Sequence, residues 1–411
     1  MDVTDIGHIS PDDLTNEKVL FLFNVRHGLA PYSHAFVPTM MDVQVLSGFV
    51  SAILSFMREA LGSAEKSWRT EYGSDLSLIV EQGEWMVGVL AVSRVTIELR
   101  SKLRSIVKQF ENDFEYMRDV DCIEGGAYEE FDKIVRQQFV GNRISDRSIL
   151  IKTDSWVERS RMLGKPPSFE VVKLLTYCES GTPLDKISAN SGLPLKKVIE
   201  AVSEAVWNQL ASLIYVPSDN DILSLSEGAS SILLKRNNPI DLSSDTVLVV
   251  SMMDGRTDLA HLLEIASPSD RNATLRELGI LLNRGYIQRE PYERVLLFMN
   301  ECILSSLLSA SSKFLGVQRT TSLLRTAMKQ GCKSHPWIGR VSVDSDFNLR
   351  CRLDDTMSPM DLDDLRAALL FIQDRLQDEL TEALGREKAE DLILKAQLKC
   401  HQEWESLIEP A

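Results

Sequence analysis

"SWRTEYGSDLSLIVEQGEWMVGVLAVS", Ser67 to Ser93, decides the first question of fold. It holds three strand-like runs, divided at Gly73-Ser74 and at Gln82-Gly83, and it is rich in β-branched and aromatic residues. Runs of this length separated by such short breaks predict consecutive strands of one sheet.

Reading outward toward the N-terminus, residues 18-36, "KVLFLFNVRHGLAPYSHAF", give an apolar run, a Gly-containing turn and a second extended run. That is the pattern of a hairpin. Between hairpin and strands, from Val45 to Leu61, the apolar positions Leu46, Phe49, Val50, Ile53, Met57 and Leu61 recur every three or four residues, one face of a helix. Beyond Ser93, Leu99, Leu103, Ile106, Phe110 and Met117 mark the buried stripe of a long helix. A shorter helix, "EEFDKIVRQQF", follows the loop at Gly125-Gly126.

The resulting order over residues 18-140, β-β-α-β-β-β-α-α, resembles the longin domain, a profilin-like five-stranded antiparallel sheet sandwiched by helices. Roadblock domains are related but begin with a helix, whereas here a strand comes first. The resemblance rests on element order and not on a motif. It implies a non-catalytic platform, residues 1-145, that binds a small Ras-like GTPase or a related longin or roadblock partner. Longin-like exchange factors usually work as pairs of such domains, so by this resemblance one copy per chain implies a homodimer or a related partner.

Residues 146-168 read as a polar linker ending in "GKPPS". Then "FEVVKLLTYC", "PLDKISANS" and "LPLKKVIEAVSEAVWNQL" give three helices and "ASLIYV" an extended return, the spacing of a helix-turn-helix with a wing. "DLAHLLEIAS", "RNATLRELGILLNRG" and "YIQRE" repeat the scheme. Residues 169-240 and 241-298 are therefore expected to be tandem winged-helix modules, and 299-411 a small α+β domain with two helices meeting at Gly385.

Do the winged helices touch nucleic acid? The chain carries 60 acidic and 45 basic residues, a net charge of -15, so phosphate contact needs a local basic patch. Over 165-235 eight acids face six lysines, and over 241-290 eight acids face five arginines. Neither module is a DNA reader by charge, and protein contacts are the better expectation. The alternative is a transcriptional regulator whose longin-like domain senses or dimerises and whose Lys196, Lys197, Arg271 and Arg276 meet DNA.

Catalytic motifs are missing from the sequence: there is no Gly-x-x-x-x-Gly-Lys-Ser/Thr, Gly-x-Gly-x-x-Gly, Gly-x-Ser-x-Gly or His-Glu-x-x-His. No enzyme activity and no cofactor are expected. Cys332-x-x-His335 with Cys351 and the Cys400-His401 pair is half a zinc motif at best, so no metal is assigned. The six cysteines, Cys122, Cys178, Cys302, Cys332, Cys351 and Cys400, are scattered, and "MDVTDIGHIS" lacks a signal-peptide pattern, which points to a reducing cytoplasm. "VLLFMNECILSSLL" is interrupted by Asn300-Glu301 and falls short of the roughly 18 residues a membrane span needs, leaving at most a peripheral place at a membrane. The basic edge Arg100, Arg104 and Lys108 is interspersed with acids and reads as a solvated face.

One face of the first helix stands apart. Opposite its apolar stripe lie Ser47, Gly48, Ser51 and Ser55, where an exposed helix normally shows Glu, Lys or Gln. Small residues at these spacings let another backbone approach, so they are the candidate partner-binding residues of a cytoplasmic, non-enzymatic adaptor. A short serine-rich surface, or burial against the same chain's winged helices, is the competing explanation.

Overall fold

The run Val19-Leu20-Phe21-Leu22-Phe23 is buried at every position because both faces of its strand are covered. It belongs to β1 (Glu17–Asn24), central in a five-stranded antiparallel sheet with β2 (Tyr32–Ala35), β3 (Ser67–Tyr72), β4 (Leu76–Gln82) and β5 (Met86–Val92), in the order β2-β1-β5-β4-β3. The two-residue period of a strand sends Val19, Phe21 and Phe23 to one face, under Leu46, Val50 and Leu54 of α1 (Val43–Leu61). Leu20 and Leu22 point to the other face, onto Leu99, Leu103 and Ile106 of α2 (Ile97–Asp113) and Phe131, Val135 and Phe139 of α3 (Glu129–Phe139). Gly88 lets α2 sit close on β5: a Cβ there would lie 2.4 Å from Val107 Cγ2. This computed structural model describes residues 14–26, 28–38, 41–61, 67–73, 76–119, 128–235, 240–354 and 357–408. The expected loop at Gly125-Gly126, Cys122 and the His401 side chain lie outside the described residues.

The sheet thus has the expected strand content and strand sequence, and α2 is capped by Thr96, whose side chain accepts from the Leu99 amide. One residue of the expected stripe departs: Phe49 is 41% exposed, because the helix centres its inward face on Leu46, Val50 and Leu54.

The segment expected to be a linker is structured. Within 146–168 lie β6 (Ile149–Lys152) and α4 (Trp156–Met162), and β6 is the middle strand of a three-stranded sheet. Its partners are β7 (Thr182–Pro183) and β8 (Ala211–Ile214), separated by α5 (Phe169–Tyr177), α6 (Leu184–Ser191) and α7 (Leu195–Trp207). The same order then recurs. β9 (Leu223–Leu225) is followed by short α8 (Ser230–Leu233), α9 (Ser244–Met252), a bridge between Ile222 and Asp258, α10 (Leu259–Ala266), α11 (Arg271–Asn283) and β10 (Ile287–Arg289), which pairs with β9. Each copy therefore starts at its own leading strand, so the first runs from 149 and the second from 222, not from 169 and 241. The polar composition of 146–168 hid a strand of only four residues, ILIK. Both copies share one hydrophobic core.

Contacts divide the chain into two compact units, Met1–Arg289 and Glu290–Ala411. The second begins earlier than the expected 299, with α12 (Tyr292–Leu315) and α13 (Val317–Gly331). A hairpin of β11 (Val341–Val343) and β12 (Leu349–Cys351) leads to α14 (Pro359–Leu384) and α15 (Arg386–Ile408), which meet at Gly385 as expected. By length and composition α12 could cross a membrane, contrary to the shorter run read from sequence, since the helix continues past Asn300-Glu301 on both sides. Its apolar side is used within its own unit: Leu297, Leu304, Leu307 and Leu308 are buried in the core with Leu365, Leu369 and Ile372 of α14.

Candidate partner-binding face

From Val43 to Met57, α1 contains no charged residue. Its inward stripe accounts for part of that apolarity, yet a second stripe faces out: Val45 is 64% exposed and Phe56 69%, with Ala52 exposed between them. Spacings of four, three and four put Val45, Phe49, Ala52 and Phe56 on one side of the helix. The Phe49 ring meets Tyr72 of β3 at 6.0 Å, edge to face, so the apolar surface runs from the helix onto the sheet margin.

The four small residues do not form one surface. Ser47 is buried, 1% exposed, and its hydroxyl donates to the Gln44 carbonyl. Ser51 is half-buried, its Oγ without a hydrogen-bond partner and facing Gly28. Gly48 and Ser55 are exposed. The cause is geometric: at 3.6 residues per turn, positions four apart drift by about 40° each, which carries the serines from the protein side at Ser47 to the solvent side at Ser55. Gly48, Ala52 and Ser55 therefore join the outer apolar stripe. The pairing of apolar with small residues, and not the serines alone, was the signal in the sequence.

The two margins of the five-stranded sheet differ. At β2, the Gln209 side-chain amide donates to the Ala35 carbonyl at 2.6 Å, and His34 stacks on Trp207 at the end of α7. The chain covers this edge itself. Beyond β3 no strand pairs among the described residues; there Arg69 meets Glu227 in an exposed ion pair. Unpaired edges attract further strands, and this one lies beside the exposed side of α1.

The third helix of each repeat, which a helix-turn-helix would lay in a groove, is largely enclosed. In α11, Thr274, Leu275 and the whole run Leu278 to Asn283 are buried. A Cβ on Gly279 would come 2.8 Å from Ile214 Cγ2 of the first repeat, so the two repeats meet at backbone range. Asn283 fixes that seam, donating to the carbonyls of Leu14 and Leu213 and accepting from the Tyr215 amide at 2.8 Å. In α7 the second half is buried, with Trp207 in the core under α2 and α3. Of the four basic residues named for DNA, Lys196 and Lys197 are exposed at the start of α7, Arg271 pairs with Asp219 at 2.9 Å, and Arg276 is half-buried with no partner for its Nε. Lys196 and Lys197 belong to one repeat and the arginines to the other.

A buried ion cluster fastens the sheet to the second repeat. Arg143 reaches Glu17 at 2.6 Å and Glu98 at 3.2 Å, Lys102 meets Glu98 at 2.7 Å, and the Arg289 amide also donates to Glu98. Burial raises the Glu98 pKa, but Arg143, Lys102 and Arg289 more than reverse this and hold the carboxyl below its usual range. Burial pushes Lys102 down to about 8, against the pull of Glu98. Arg104, from the predicted basic edge, is used similarly, on Glu81 at 3.2 Å.

A cleft of about 600 Å³ opens between the end of β2, the end of α3 and the β6–β8 pair. Polar side chains around it are engaged with backbone: Lys152 with the Leu175 carbonyl, Arg159 with that of Gln209, Asn283 with that of Leu213. Elsewhere, Cys332 is exposed, the His335 ring packs on Phe371, and the Cys351 amide donates to Glu301, while Cys400 is bonded to Cys302. Among the described residues no group of three or more metal-ligating side chains gathers.

Compared with known proteins, the chain matches no family model, and no curated protein is significantly similar to it.

Proposed function

We propose that this chain is a non-enzymatic cytoplasmic adaptor or regulator. In this reading the N-terminal sheet unit is a longin-like platform and the α1–β3 margin its partner-binding face. The observation that carries it is the asymmetry of the sheet: one edge is closed by Gln209 and Trp207, while the other lies beside the exposed Val45, Phe49 and Phe56 of a helix uncharged from Val43 to Met57. Exposed apolar surface of this kind is costly unless a partner covers it. The strand order β2-β1-β5-β4-β3, with one helix on one face and two on the other, supports the longin-like assignment. The partner we favour is a small Ras-like GTPase or a related longin or roadblock domain, a second copy of the chain included. The two repeats are read as winged-helix modules whose third helices serve internal packing, in keeping with their enclosure and acidic balance.

Substitutions on α1 test this. Ser55→Arg and Phe56→Glu alter only exposed positions, so melting should stay within about 0.5 kcal/mol of wild type. Each should nonetheless abolish self-association in sedimentation, or capture of nucleotide-locked GTPases. Ser47→Arg, at a buried site, should instead lower stability by several kcal/mol through overpacking and an unpaired charge. If neither outer variant changes mass or partner capture, this face is not the binding surface.

A further inference from the structure

No Asp or Glu occurs between Cys302 and Val343, in a chain with 60 acidic residues among 411. The same stretch carries Lys313, Arg319, Arg325, Lys329, Lys333 and Arg340, and its centre is α13. That helix turns Thr320, Leu324, Ala327 and Gly331 inward and leaves Arg319, Arg325 and Lys329 exposed, as is Lys333 in the turn just after it. At about 100° per residue, Arg319, Arg325 and Lys329 fall within roughly 120° of arc, and Lys333 lies in the turn beyond the helix end.

Among the described residues, the charges of α13 meet no acid of the unit that carries them. On α14 and α15, Arg366, Arg375, Arg386 and Lys395 each sit beside an acid three or four residues away on the same helix. Arg340 pairs with Asp354. Arg319, Arg325 and Lys329 of α13, and Lys333 just beyond it, make no ion pair among the described residues. Arg325 and Lys329 are moreover like charges at i and i+4, which disfavours the isolated helix. Such an arrangement is stabilised by an anionic partner.

We propose that the outer face of α13 binds double-stranded DNA. Between its basic residues the face shows Gln318, Ser322, Thr326 and Gln330, all hydrogen-bonding and all at least partly solvent-facing. Amides and hydroxyls reach base edges while Arg and Lys neutralise phosphates, and a helix about 10–12 Å across fits a major groove of about 12 Å. An anionic membrane fits less well, because interfacial helices insert an apolar face and that of α13 is buried in its own bundle. The inference does not rest on the α1 reading. It also moves the nucleic-acid question: the helices with a reader's spacing are enclosed, and a helix without that motif has the reader's chemistry.

The test is fluorescence anisotropy of the full-length chain with a labelled duplex of about 20 base pairs, titrated across salt. We expect micromolar binding at about 50 mM salt, and a log–log salt slope near -3 to -4 if about four phosphates are contacted. Arg325→Glu with Lys329→Glu should weaken binding at least about tenfold and make the slope shallower by about two. Arg325→Gln with Lys329→Gln should give a smaller loss in the same direction, which covers any misfolding of the reversed-charge protein. Lys196→Glu with Lys197→Glu on α7 should leave binding unchanged. Absence of binding at low salt, indifference to both α13 pairs, or loss only on changing α7 would overturn the proposal. So would capture by phosphatidylserine vesicles through these same residues without binding of duplex.

Discussion

The imidazole of His34 lies flat on the indole of Trp207, ring centroids 3.3 Å apart and planes 5° from parallel. One residue is on the edge strand of the N-terminal sheet, the other at the end of α7 in the first repeat, so this stack closes the sheet edge with the chain's own helix. The imidazole is enclosed and its Nε2 has no hydrogen-bond partner, and burial pushes its pKa from 6.5 down to about 3.

That pKa sets a pH dependence with a definite sign. Below its ordinary value the unfolded chain binds a proton that the folded chain refuses until about pH 3. Stability is therefore fully present above about 6.5 and falls as pH drops toward 3, by up to a few kcal/mol from this residue. His34→Phe keeps a stacking ring and removes the titration. Urea unfolding at pH 7 and pH 5 should show a smaller acid loss in the variant than in wild type, and parallel profiles would contradict the burial of a neutral imidazole here.

Arg143 provides a second measurement. It lies between Glu17 and Glu98 and over the Tyr215 ring at 4.9 Å, all buried. Arg143→Met preserves much of the volume but leaves two carboxylates without their guanidinium, and should cost about 3–5 kcal/mol in denaturant unfolding. Adding Glu17→Gln should restore part of that loss, because the carboxylate left without a cation is then neutral while Glu98 keeps Lys102. A double variant no better than the single one would mean that shape, not charge, is what Arg143 supplies.

These two sites show what was legible and what was not. The apolar run Val19–Phe23 and the breaks at Gly73 and Gly83 are local, and the pattern read them: the five strands and α1 to α3 lie where it puts them, except that α2 ends at Asp113 and Met117 of the expected stripe falls in a separate short 3-10 turn. His34 to Trp207 and Glu17 to Arg143 are long-range pairs, and nothing in the neighbourhood of either residue marks its partner. The same holds for β6, whose four residues gain their identity by pairing with β7 and β8 on either side. The serine face was half legible. Period alone cannot say which of two flanks of α1 rests on the sheet, and Phe49 and Ser47 exchange their expected environments for that reason. Charge counting over whole modules likewise passed over α13, where the absence of acids is confined to one helix and its surroundings.

Cys302 and Cys400 are another long-range pair, 98 residues apart in sequence, and scattered spacing gave no hint of them. The structure joins them between α12 and α15 with Cα atoms 6.1 Å apart, Cys400 fully buried, so the C-terminal helix is tied to the helix that opens the second unit. A bond closing a loop of that length restricts the unfolded chain strongly, and typical bridges contribute about 2–4 kcal/mol. Cys302→Ser should therefore lower the stability of the second unit by that amount in oxidising buffer. In excess dithiothreitol the wild type should fall to meet the variant, since both then lack the bond and the surrounding leucines of α12 remain packed. Comparing the four melts isolates the disulfide from the volume change at position 302. If reductant leaves the wild-type transition where it was while Cys302→Ser still lowers it, the two sulfurs matter for packing and not as a covalent tie.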